Sequence, residues 1–98
     1  MGLAEEHNRL IRGRILKLLR AVNLNHIAAD VLVATLGGCG HRLTIESLLA
    51  ILQYLVDKSY VEVREATVEG VGPVTTARIT AEGIDLLEGS VEDPGVAL

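Results

Sequence analysis

Phenylalanine and tryptophan are missing from this chain, and Tyr54 and Tyr60 are its only aromatic residues. A core must therefore be assembled from Leu, Ile, Val and Ala. Cysteine occurs once, at Cys39, which excludes an intramolecular disulfide framework. No apolar run approaches the ~20 residues that a membrane span needs. The opening "MGLAEEHNRL" is charged early and lacks an apolar signal core. A cytoplasmic protein with no membrane partner is the expectation. Enzyme signals are missing too. No carboxylate pair sits among apolar positions, where its pKa could be tuned. No nucleophile is followed by a plausible base. Gly70-Val71-Gly72 opens no helix, so it is a turn and not a phosphate loop. The expectation is a protein that is not an enzyme and uses no cofactor.

What is present is a single-domain length with enough aliphatic residues for one core. The chain has 98 residues, 49% of them hydrophobic, and a net charge of −4. The charge is uneven. Residues 1–20 hold five basic and two acidic side chains, whereas residues 43–98 hold three basic and ten acidic ones. A nucleic-acid binder is expected to carry a basic face, and the first helix is the only candidate for it.

That helix is "EEHNRLIRGRILKLLRAV". Ile11, Ile15, Leu18, Leu19 and Val22 recur on one face, with Arg9, Arg12, Lys17 and Arg20 on the other. Glu5 and Glu6 lie in the first turn, which suits the helix dipole. Asn23 and Asn25 break the pattern. "HIAADVLVATL", about residues 26–36, is predicted as a second helix. It is apolar nearly all round, which points to burial on more than one side and to a partner surface. "GGCGHRL" follows, with Gly37 and Gly38 as the expected helix stop. Thr44 is the predicted N-cap of a third helix, about residues 45–58. Ile45, Leu48, Leu49, Leu52, Leu55 and Val56 form its apolar stripe. Glu46, Ser47, Ala50, Gln53, Tyr54 and Asp57 face away. Period-two alternation on both sides of "EGVGP" predicts a β-hairpin. Two registers fit it. Arg64 can face Arg78 with Val63 opposite Ile79, or Glu62 can face Arg78 with Val63 opposite Ala77. The second pairs opposite charges and is the blander arrangement. A short helix capped by Thr80 closes the domain, and residues 90–98 are expected to form a flexible tail.

This order of helix, helix, turn, helix, hairpin, helix resembles the winged helix-turn-helix superfamily, an α+β fold. "LTIESLLAILQYLVDKSYVEVRE" leading into a hairpin and then "ARITAEGIDLLEG" carry the resemblance. They look like the ArsR-like, MarR-like and PadR-like regulators, and the short form also looks similar to small prophage-encoded regulators. The resemblance implies a winged-helix domain over residues 1–89, with a three-helix core, a β-hairpin wing and a short C-terminal helix. It implies a homodimeric transcriptional regulator that binds double-stranded DNA. Helix 44–58 would face the major groove and hairpin 60–80 would be the wing.

The residues modify that expectation. The exposed face of 44–58 has no arginine, and only Gln53 fits the code by which side chains read bases. Ser47 and Tyr54 are candidate phosphate contacts, with Thr44 beside them. Arg42, Arg64 and Arg78 are the remaining candidates, together with the basic face of the first helix. A winged-helix adaptor that binds a protein partner is the alternative, supported by the acidic C-terminal half. "GGCGH" supplies two candidate ligands, Cys39 and His41; His26 begins the second helix, and no Asp or Glu neighbours the loop. That falls short of the three or four ligands a metal site needs. No base is placed to activate the thiol. The stretch is expected to be a glycine-rich link, and His7 is expected to be solvated.

Overall fold

The structure, a computed structural model, describes residues 3–22 and 25–98. The pattern break at Asn23 lies outside the described residues. The first helix, α1, spans Leu3–Ala21. Ile11, Ile15, Leu16 and Leu19 on it are fully buried. Helix α2 spans Ala29–Gly38 and buries Ala29, Leu32 and Leu36. Helix α3 spans Ile45–Asp57 and buries Leu48, Leu52 and Leu55. Strands β2, Val61–Val68, and β3, Gly72–Ile79, form the hairpin, and α4 spans Ala81–Leu87. No helix among the described residues is long and apolar enough to cross a membrane.

The second helix starts later than its composition suggests. Ile27–Ala28 form a short strand, β1, paired antiparallel with Ala77 and Thr76 of β3. An apolar run alone does not distinguish a buried helix from a strand. Here the open edge of β3 decides, because its unpaired backbone groups take Ile27 and Ala28 as partners. The resulting sheet has the order β1-β3-β2. The hairpin adopts the register with Glu62 opposite Arg78 and Val63 opposite Ala77. Val61, Ala77 and Ile79 then point into the helical layer, where they are buried with the α1, α2 and α3 side chains.

Both predicted threonine caps form. The Thr44 hydroxyl accepts from the Ser47 N–H at 3.0 Å, and the Thr80 hydroxyl accepts from the Gly83 N–H at 3.2 Å. The helix stop in "GGCGH" differs from expectation. Gly37 and Gly38 belong to α2, Cys39 is its C-cap, and Gly40 takes the left-handed conformation at φ +90°. The Gly40 N–H donates to the Gly37 carbonyl at 3.2 Å, and the His41 N–H donates to the Leu36 carbonyl at 2.8 Å. This pair of bonds is the Schellman C-cap, which satisfies carbonyls the helix cannot.

Part of the segment 90–98, expected to be a flexible tail, is held against α1 through residues 95–98. Val96 is only 5% exposed. The Ala97 N–H donates to the Arg9 carbonyl at 3.0 Å, and the Arg12 guanidinium donates to the Gly95 carbonyl at 3.1 Å. Two features permit the docking. Asp93 accepts from the Gly95 N–H at 2.8 Å, closing a turn that aims Val96 inward. Gly13 has no side chain to obstruct it; a Cβ there would lie 2.0 Å from the Ala97 carbonyl oxygen. Composition at the end of a chain says little about such a fit, because the receiving surface is supplied by another element.

Candidate nucleic-acid interface

The predicted contacts lie on two parts of the molecule, α3 with the link before it and the hairpin. At ~100° per residue, the buried Leu48, Leu52 and Leu55 leave Glu46, Ala50, Gln53 and Asp57 pointing outward, all exposed. Ile45 and Leu49 stand on the flank nearer the hairpin, and Ser47 and Tyr54 on the other flank. Arg42 is exposed in the link before α3 and forms no ion pair among the described residues.

Several predicted contacts are already engaged within the chain. The Thr44 hydroxyl caps α3 and donates to the Ser47 hydroxyl at 3.0 Å. The Gln53 amide donates to the Asp57 carboxylate, one turn along the helix, at 2.9 Å. Tyr54 is half-buried and does not share the outward face predicted for it. The Arg12 guanidinium lies 3.6 Å from its ring centre, and a Cβ on Gly95 would meet its hydroxyl. The reason is the docked 93–97 segment, which fills the flank that Tyr54 borders.

The hairpin register settles where the two arginines point. Alternate residues of a strand face opposite sides, and Val61, Ala77 and Ile79 face the helices. Arg64 and Arg78 therefore share the outer face of the sheet. Arg78 is paired there with Glu62, whereas Arg64 is exposed and forms no ion pair among the described residues. The basic face of α1 is also partly used. Lys17 donates to the Leu98 carbonyl at 3.1 Å, and Arg20 pairs with Glu88 at 3.2 Å.

One cluster escaped the sequence reading. His7 on α1 and His41 after α2 have ring centres 5.5 Å apart. Burial holds the His41 pKa below the usual histidine range, and the positive charges of Arg14 and His7 lower it further. Arg14 is exposed. No sequence spacing joins His7 to His41; only the packing of α1 against the α2–α3 link does. Among the described residues no group of three or more His, Cys, Asp or Glu is arranged to hold a metal ion.

A three-helix layer, a hairpin leading from its third helix and a closing helix define the winged-helix fold. No family model and no curated protein matches this chain. Solved structures do. A crystal structure of Bacillus subtilis PadR in complex with operator DNA is similar over 88% of this chain, with a TM-score of 0.69 and 16% identity. A PadR family transcriptional regulator from Eggerthella lenta is similar over 81% of this chain, with a TM-score of 0.62 and 20% identity. The chain spans 50% of the Bacillus protein and 70% of the Eggerthella one. At these identities the likeness establishes the winged-helix fold.

Proposed function

We propose that this chain is a DNA-binding transcriptional regulator, a cytoplasmic protein that acts as a homodimer and not as an enzyme. In this reading α3 enters the major groove and the hairpin is the wing. The observation that carries it is the likeness over 88% of the chain to a PadR solved with operator DNA. Arg14, Arg42 and Arg64 support it as exposed cations with no ion pair among the described residues. Thr44 and Ser47 would add polar contacts at the start of α3, and Gln53 would meet a base once released from Asp57. Tyr54 and Arg78 would be secondary contacts, since each is engaged inside the chain.

A protein-binding adaptor is the second reading. The outward row of α3 favours it, because Glu46 and Asp57 stand there and no cation does. A salt-titrated binding measurement with random duplex DNA separates the two. A regulator retains duplex at low salt and loses it steadily as salt rises, because phosphate contacts release counterions. Failure to retain any duplex at low salt, where that driving force is largest, would leave the adaptor.

A further inference from the structure

The hairpin-side flank at the start of α3 is apolar, where a base-reading helix often carries cations. Ile45 is 44% exposed and Leu49 is 38% exposed. With Val71, Pro73 and Val74 of the hairpin and Asp30 of α2, Ile45 and Leu49 line an open groove of about 220 Å³. Water is a poor environment for its apolar side chains. In helix-turn-helix complexes the first turns of the recognition helix meet the base edges.

The chemistry of this surface selects among bases. Guanine is gripped at O6 and N7 by Arg or Lys, and α3 contains neither. Thymine presents a methyl group in the major groove, which apolar side chains contact, and its partner adenine is the base that Gln reads. Gln53 holds only an exposed bond to Asp57, which an adenine edge can replace. We infer that the N-terminal half of α3 reads thymine methyl groups through Ile45 and Leu49, so that the duplex it prefers is rich in A·T pairs beneath this helix. This specificity rests on the DNA-binding reading above.

The test uses a short duplex that the protein itself recovers from a randomised library. A second version of that duplex carries deoxyuridine at every thymine, which removes the methyl groups and keeps Watson–Crick pairing. The recovered sites are expected to be A·T-rich. The uracil version is expected to bind about fourfold more weakly for each methyl that Ile45 or Leu49 covers. Leu49→Ser and Ile45→Ser, checked for native circular dichroism, should bind the two duplexes more nearly alike. Equal affinity of the unmodified protein for both versions, or recovery of G·C-rich sites, overturns the methyl reading. If salt-dependent binding to random duplex persists in that case, the regulator stands without it. If no duplex is retained at low salt, both fall, and the groove is left to an apolar protein segment.

Discussion

Three helices of this protein end in one motif, and a single residue distinguishes them. The left-handed position is Gly40 after α2 (φ +90°), Ser59 after α3 (φ +67°) and Gly89 after α4 (φ +82°). Each is followed by the same pair of backbone bonds; for α3 they run from Ser59 N–H to the Val56 carbonyl and from Tyr60 N–H to the Leu55 carbonyl, both at 2.9 Å. A non-glycine residue in this conformation is strained by ~1–2 kcal/mol, part of which glycine returns as entropy of the unfolded chain. Ser59→Gly is expected to stabilise the fold by up to about 1 kcal/mol, read as a higher midpoint in thermal unfolding; a lower midpoint would contradict the strain assignment. Cys39 sits at a C-cap, exposed and unbridged. Cys39→Ser should therefore change stability by no more than about 0.5 kcal/mol. Stoichiometric zinc in protein purified without added metal, lost in this variant, would show the link to be more than a helix stop.

At the scale of elements, one carboxylate, Asp93, ties the C-terminal segment to Lys58 and Tyr60 between α3 and β2. The Tyr60 hydroxyl donates to Asp93 at 2.8 Å, and Lys58 approaches the same oxygen at 3.8 Å. Burial pushes the Asp93 pKa up, but the Gly95 N–H, the Tyr60 hydroxyl, Lys58 and Arg12 outweigh it and hold the carboxyl below its ordinary 3.8. Stability from this group is present above the unfolded pKa and is lost as pH falls through the lower folded one. Tyr60 moves the other way. Its burial, and then its bond to Asp93, raise its pKa from 10.0 to about 12. That contribution is whole below pH 10 and is lost as pH rises towards about 12. Asp93→Ala should cost about 1–3 kcal/mol, the scale of a lost charged hydrogen bond in a shielded site. It should also speed exchange of the Ala97 amide, which bonds to α1. In Tyr60→Phe the alkaline loss should shrink; an unchanged alkaline limb would place its origin elsewhere.

Across the whole molecule, the end of the chain covers part of the basic face of α1, through two backbone carbonyls and one carboxylate. Arg12, Lys17 and Arg20 of α1 contact Gly95, Leu98 and Glu88, so the basic face that composition advertised is partly occupied. In the DNA-binding reading, phosphate contacts then fall to fewer cations. Arg64→Ala is expected to weaken binding similarly across DNA sequences and to flatten the slope of log affinity against log salt by about 0.9. Arg78→Ala should do less, because Glu62 already holds its guanidinium. An Arg64→Ala protein with unaltered affinity and slope would remove the hairpin from the interface. Val31 of α2 is 52% exposed and Leu10 of α1 is 37% exposed. A second copy covering such side chains is expected to give a dimer by sedimentation at roughly tens of micromolar protein, and a monomer there would remove the homodimer from the proposal.

Periodicity and capping made the helices, the hairpin and the α+β winged-helix layout legible, because each depends on residues within a few positions of one another. Thr44 and Thr80 announced their helices through local hydrogen bonds, whereas the stop expected at Gly37 and Gly38 falls at Gly40, because closely spaced glycines share the same backbone preference. The β1 strand was not legible, since Ile27 and Ala28 become a strand only when the distant edge of β3 offers partners. The same holds for the candidate interface. Types and positions such as Gln53 and Arg64 could be named, but the withdrawal of Tyr54 beneath Arg12, the His7–His41 contact and the docking of residues 93–97 on α1 each join parts far apart in the chain. Local propensity determines elements; which charges remain free to meet a partner is decided by the packing that brings those elements together.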